Sequence, residues 1–140
     1  MADKAKAVRA LVVDYTPQIV NLIRAVLHTM NGIDHIDSTG RGDVAADLLR
    51  GNDYDLVVIE AVVPFGDERL LAHIARQHPS VRQRTIVITA PPMAPEVLRD
   101  IAAVKPHTIL AKPFDVVAFA DVVHEILPPV PRRIRPQHAA

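Results

Sequence analysis

The sequence predicts an α/β fold: a doubly wound, five-stranded parallel sheet in a three-layer α/β/α arrangement. Three observations predict it. Short apolar runs alternate with longer amphipathic segments, the alternation occurs five times, and every run except the second consists almost entirely of Leu, Ile, Val and Ala. Such runs are typical of parallel strands that are covered by helices on both faces. The 140 residues suffice for one domain with its own hydrophobic core.

The predicted strands are short and end where polar residues begin. They span residues 9–13, 33–37, 55–59, 85–88 and 108–111. The second strand contains Asp34, His35 and Asp37, which is too polar for the centre of a sheet, so we expect it at an edge. Right-handed crossovers and a polar second strand together favour the strand order 2-1-3-4-5, which is the flavodoxin-like order.

A helix is predicted after each strand, because apolar residues recur there at helical spacing. Thr16 and Pro17 suit the N-cap and first position of the first helix, and Gly51 suits the end of the second. Pro95 opens the fourth helix. The predicted apolar stripe of that helix consists of Val97, Leu98, Ile101 and Val104.

The composition of the chain limits the partners and the chemistry that we expect for it. We expect residues 1–127 to form one domain and residues 128–140, rich in Pro and Arg, to form a flexible tail. The 16 basic and 16 acidic residues balance, which argues against a nucleic-acid partner. The chain has no Cys, so disulfides and thiolate chemistry are excluded. No apolar run is long enough for a membrane span, and no signal peptide is evident, so we expect a cytoplasmic protein without a membrane partner.

Polar residues follow the ends of four predicted strands. Asp14 follows the first strand, Glu60 the third, Thr89 the fourth and Lys112 the fifth. In open parallel sheets, sites form beyond the carboxyl ends of the strands, near the point where the strand order reverses. A single carboxylate at a strand end is usually a solvated or capping group, but four such residues on successive central strands predict one polar site.

These strand ends carry motifs that resemble the receiver domains of two-component signalling, including the chemotaxis type. The motifs are Leu11-Val12-Val13-Asp14, Val57-Val58-Ile59-Glu60 with Pro64 beyond it, Val87-Ile88-Thr89-Ala90 and Lys112-Pro113-Phe114. The resemblance covers nearly the whole chain except the tail. It implies a domain in which an Asp accepts a phosphoryl group from a kinase histidine with the help of Mg²⁺, and in which Thr89 and Lys112 contact the phosphoryl oxygens.

The sequence departs from that pattern at several of the implied positions. Glu60 occupies the phosphoacceptor position, and Tyr15 occupies the position of the second acid beside Asp14. Ile109 stands where the family has an aromatic switch residue, whereas Ala90 keeps the small residue that leaves the site open. The main-chain carbonyl of Val62 is the remaining ligand that the resemblance implies for Mg²⁺. We therefore expect Mg²⁺ binding that is weak at best, and no other cofactor.

The side chain of Glu60, which is longer than that of the Asp it replaces, has two interpretations. Its carboxylate lies about 1.5 Å beyond the position of an Asp carboxylate, and a misplacement of about 1 Å can cost on the order of 100-fold in rate. Glu60 either carries its charge outward and imitates the phosphorylated state, or pairs with Lys112 in a site that is no longer phosphorylated. Ile109 and the three prolines in residues 91–95, which restrict that loop, favour the second interpretation.

Other motifs give little support to an enzyme. The seven histidines lack the spacing of a zinc site. Gly40-Arg41-Gly42 lacks the Lys-Ser or Lys-Thr that follows the glycines of a phosphate-binding loop, and it suits a turn. No nucleophile elbow or cofactor fingerprint is present. We expect no enzymatic activity.

The predicted function is that of an atypical, stand-alone receiver domain that acts by phosphorylation-independent binding to a histidine kinase or another signalling protein. The binding surface is predicted on the fourth helix, fifth strand and fifth helix, around Lys105, His107, Asp115 and Phe119. Two alternatives stay open: a receiver still phosphorylated at its acidic site, and a structural module that forms a homodimer through the same surface.

Overall fold

The structure, a computed structural model, describes residues 7–30 and 32–127. Its strands are β1 (Val8–Val13), β2 (Ile33–Thr39), β3 (Leu56–Glu60), β4 (Pro64–Phe65), β5 (Glu68–Arg69), β6 (Thr85–Thr89) and β7 (Thr108–Ala111). Its α-helices are α1 (Pro17–His28), α2 (Gly42–Gly51), α3 (Leu70–Gln77), α4 (Pro95–Val104) and α5 (Val116–Ile126), and a 3₁₀ helix spans Pro79–Arg84.

The main sheet has five parallel strands in the order β2-β1-β3-β6-β7. The predicted third, fourth and fifth strands are β3, β6 and β7, so the predicted order is confirmed, and β2 lies at an edge as expected. The strand order reverses between β1 and β3, which places their carboxyl ends at the switch point of the fold. A two-stranded antiparallel hairpin, β4–β5, follows β3 and was absent from the sequence prediction.

Side chains of the central strands alternate between two hydrophobic cores. On one face of the sheet, Leu11 and Val13 pack in a core with residues of α2, α3 and α4. On the other face, Ala10 and Val12 pack in a core with residues of α1 and α5. The continuous apolar sequence of these strands therefore has a simple cause: both faces of the sheet are covered.

Some local predictions were wrong or incomplete. Leu98 does not belong to the buried stripe of α4, since its side chain is 47% exposed, and Asp100 takes the fourth buried position. Phe119, predicted on a binding surface, is fully buried in the core beneath α5. Thr16 occupies the N-cap of α1 as predicted, but its side chain makes no capping hydrogen bond.

The predicted tail, residues 128–140, lies outside the described residues, and its flexibility stays a prediction. Within the described part of the chain, no helix is both long enough and apolar enough to cross a bilayer.

Candidate functional site

Asp14, Glu60, Thr89 and Lys112 lie together at the carboxyl ends of β1, β3, β6 and β7, as their positions in the sequence predicted. The parallel register explains the convergence: Val13 pairs with Ile59, and Glu60 pairs with Ile88. Asp14, Glu60 and Thr89 are all at least 97% buried. The site therefore holds two carboxylates in an environment that penalises unpaired charge.

Asp14 uses both of its carboxylate oxygens. Oδ1 accepts a hydrogen bond from the main-chain N–H of Thr16 at 2.8 Å, and Oδ2 accepts one from Nζ of Lys112 at 2.7 Å. The first contact is an Asx turn, which Asp adopts readily just before a helix. It satisfies an amide at the start of α1 and fixes the carboxylate in the direction of Lys112.

Glu60 is held in the same way. Its Oε2 accepts a hydrogen bond from the N–H of the following residue, Ala61, at 2.7 Å. Its Oε1 lies 3.0 Å from Nζ of Lys112. The extra methylene is thus folded back inside the protein, and the carboxylate does not project outward from the site.

Lys112 lies between the two acids, is the cation of the site and forms a triad with Asp14 and Glu60. Burial acts to lower the pKa of its ammonium group, but hydrogen bonds and charge interactions with Asp14 and Glu60 outweigh burial and raise the pKa above its usual value. Its side chain is only 14% exposed. Two carboxylates and one ammonium group leave a nominal charge of minus one, and Lys112 remains protonated throughout the neutral range.

The remaining predicted residues surround this triad at the surface. The ring of Tyr15 is half-exposed, and its centroid lies 5.8 Å from Nζ of Lys112, within the range of a cation–π contact. Val62 and Ala90 are exposed beside the ends of β3 and β6. Ile109 lies three residues before Lys112 on the edge strand β7, and its side chain is exposed.

Two partners of the triad were not predicted from the sequence: the main-chain N–H groups of Thr16 and Ala61. The first had a sequence signal, because an Asp two residues before the N-cap Thr16 suits an Asx turn at a helix start. The second had none, since the side-chain rotamer of Glu60 depends on the packing around it. Within residues 7–30 and 32–127, no three His, Asp or Glu side chains are grouped to hold a metal ion.

The comparisons with known proteins agree with this geometry at the level of the fold. No protein-family model matches the chain, and no curated protein matches it in sequence. Solved structures do match. The signal receiver domain of an HD domain-containing protein from Pseudomonas fluorescens Pf-5 has a TM-score of 0.74 and 24% identity, over 86% of this chain and 94% of that one.

Two further similar structures are the chemotaxis response regulator CheY4 of Vibrio cholerae and a CheY-like receiver domain protein from Methanospirillum hungatei JF-1. The first has a TM-score of 0.68 and 18% identity, over 87% of this chain and all (100%) of that one. The second has a TM-score of 0.71 and 15% identity, over 86% and 93%. Together with the strand order and the polar residues at the strand ends, these likenesses lead to one conclusion: the chain has the fold of a response-regulator receiver domain.

Proposed function

We propose that this chain is an atypical receiver domain of two-component signal transduction that acts by binding another protein, without being phosphorylated. The observation that carries the proposal is the position of Lys112. Its ammonium group makes ion pairs with both Asp14 and Glu60. The site already contains a cation that pairs with both buried acids and leaves a nominal charge of only minus one, so neither acid depends on a bound metal ion for a partner.

Phosphoryl transfer depends mainly on positioning and on neutralisation of charge by metal ions. For Glu60 to attack, one of its oxygens would have to face an incoming phosphoryl group, yet one accepts from Ala61 and the other is paired with Lys112. The inward position of this carboxylate also favours an inert site over one that imitates phosphorylation. These contacts support a domain that is not switched between states by phosphorylation.

We further propose that Mg²⁺ binds weakly at best. Mg²⁺ requires oxygen ligands at short distance in near-octahedral geometry. All four carboxylate oxygens of Asp14 and Glu60 already have protein partners, and Tyr15 supplies a ring where another acid would add an oxygen. The donor set therefore does not fit the ion without displacement of Lys112.

The surface proposed for the partner, a histidine kinase or another signalling protein, is formed by α4, β7 and α5. Among the described residues, eight large apolar side chains are exposed, and half of them belong to these three elements: Leu98, Ile109, Val116 and Val117. Large apolar side chains that stay exposed can mark protein-binding surfaces. Of the residues first predicted there, Lys105 and Asp115 are exposed, and His107 pairs with Glu125 at 2.9 Å.

The same apolar surface favours a second candidate function, a homodimer through α4, β7 and α5. Light scattering distinguishes the two candidate functions. A monomeric mass supports binding of another protein at this surface, whereas a dimer that Ile109→Glu converts to monomer supports the second candidate. Val44→Glu is the matched control, because Val44 has similar exposure on α2.

The proposed function is tested by restoring the acids that the receiver pattern implies. The double variant Tyr15→Asp with Glu60→Asp is incubated with a phosphoryl donor, acetyl phosphate, with and without Mg²⁺. We expect Mg²⁺-dependent labelling in the double variant and none in the parent protein or in the matched control Tyr54→Phe. Stoichiometric labelling of Glu60 in the parent would refute the proposal.

A further inference from the structure

Helix α4 is rotated away from the orientation that its sequence pattern favours. The apolar residues Val97, Leu98, Ile101 and Val104 form one stripe on a helical wheel. The buried residues are instead Val97, Asp100, Ile101 and Val104. With about 100° between successive residues, the centres of these two stripes differ by roughly 40° about the helix axis. The observed rotation places a carboxylate inside and a leucine outside.

The buried carboxylate is held by Arg69. Asp100 Oδ2 accepts a hydrogen bond from Nε of Arg69, and the Asp100 side chain is only 12% exposed. Arg69 is the last residue of the β4–β5 hairpin and the N-cap residue of α3, so the contact joins α4 to the segment that follows the site. Leu98 lies on the opposite flank of α4, where its side chain is 47% exposed.

A buried ion pair is weak evidence for stability, because desolvation offsets much of the attraction, but such pairs can select one arrangement over another. Here the competing arrangement is specified by the sequence itself, since turning α4 by roughly 40° would bury Leu98 and expose Asp100. We propose that the Arg69–Asp100 ion pair sets the rotation of α4 and thereby keeps Leu98 exposed on the surface formed by α4, β7 and α5. The use of that surface by a partner rests on the proposed function, whereas the rotation itself does not.

The absence of Cys from the chain makes the rotation measurable by thiol labelling. In a Leu98→Cys background, the thiol reacts readily with a soluble disulfide reagent. Adding Asp100→Lys replaces the ion pair with two like charges, which favours the rotation that exposes position 100 and buries position 98. We expect the labelling rate at position 98 to fall about tenfold, as when the rotation that exposes it is present in about a tenth of the molecules. Asp100→Asn gives a smaller decrease, and the charge exchange Arg69→Asp with Asp100→Arg restores the parental rate.

The matched control is Ala103→Cys on the same helix. Ala103 is exposed and stays exposed in both rotations of α4, so its labelling rate does not change with Asp100→Lys. Faster labelling at both positions would mean that the ion pair only stabilises the fold. An unchanged rate at position 98, with far-UV circular dichroism like that of the parent, would equally overturn the proposal. Neither result affects the labelling test of the double variant at Tyr15 and Glu60.

Discussion

Lys112 is the residue on which the charge balance of the site depends. Removing its ammonium group leaves two buried carboxylates, Asp14 and Glu60, facing each other without a cation. Uncompensated buried charge of this kind typically costs about 3–5 kcal/mol. The two acids differ from surface acids in this respect, because neither can turn to solvent without giving up a main-chain hydrogen bond.

We therefore expect Lys112→Met to lower the free energy of unfolding by about 3 kcal/mol or more at neutral pH. Urea denaturation followed by circular dichroism measures the change. Lys105→Met is the control, since Lys105 is exposed and makes no ion pair among the described residues. Equal stabilities of the two variants would show that Lys112 does not carry the charge balance.

Tyr54 makes the stability of the protein depend on pH in the alkaline range. Its hydroxyl donates a hydrogen bond to Oδ2 of Asp37 at 2.7 Å. Burial, followed by this bond and the charge of Asp37, raises the pKa of the phenol well above its usual value of 10.0. A phenol whose pKa is higher in the folded protein than in the unfolded chain stabilises the fold. This contribution is complete below the pKa of the unfolded chain and is lost as pH rises toward the pKa of the folded protein.

The expected result is a decrease in the free energy of unfolding above pH 10, to which Lys112 also contributes because its pKa is raised from 10.5. In urea titrations between neutral and strongly alkaline pH, Tyr54→Phe should show a shallower decrease than the parent. A decrease of identical slope in the two proteins would mean that the hydroxyl of Tyr54 does not contribute.

At the scale of elements, α2 is positioned by a glycine. A Cβ atom added at Gly42 would lie 2.0 Å from the main-chain oxygen of Pro64, in the hairpin that follows β3. This is closer than any two such atoms can approach, so the helix or the hairpin would have to move. Gly51, at the other end of α2, has open space around it.

Gly42→Ala is therefore expected to destabilise the protein by about 2 kcal/mol, as for other substitutions that overfill a packed contact. Gly51→Ala is the matched control in the same helix and should be neutral or stabilising by up to about 1 kcal/mol, since Ala favours helix more than Gly. Thermal unfolding of both variants checks this pair. If Gly42→Ala were as stable as Gly51→Ala, the close contact with Pro64 would be wrong.

Elements differ in how far the sequence could predict them. The three central strands, β1, β3 and β6, were predictable because burial on both faces leaves a continuous apolar run. The rotation of α4 was not, because the choice between Leu98 and Asp100 depends on Arg69, which lies 31 residues away in the chain from Asp100. The β4–β5 hairpin escaped prediction because strands of two residues have no periodicity to detect.

At the scale of the whole molecule, the strand order brings residues from the two ends of the domain into one site. Asp14 and Lys112 are separated by 98 residues and meet at 2.7 Å. Because β1, β3, β6 and β7 are parallel and adjacent to one another in the order β1-β3-β6-β7, the fold class alone placed these side chains at one edge. The hydrogen-bond partners of the individual carboxylate oxygens could not be predicted from the sequence, since they depend on rotamers and on the main-chain path after each strand.

The central claim is that Lys112, rather than a metal ion, is the cation with which both buried acids pair, and that Glu60 is not phosphorylated. The most direct test is the intact mass of the parent protein after incubation with acetyl phosphate and saturating Mg²⁺. The account predicts a single species at the unmodified mass. A species heavier by one phosphoryl group, formed only with Mg²⁺ and carrying the group on Glu60, would contradict it.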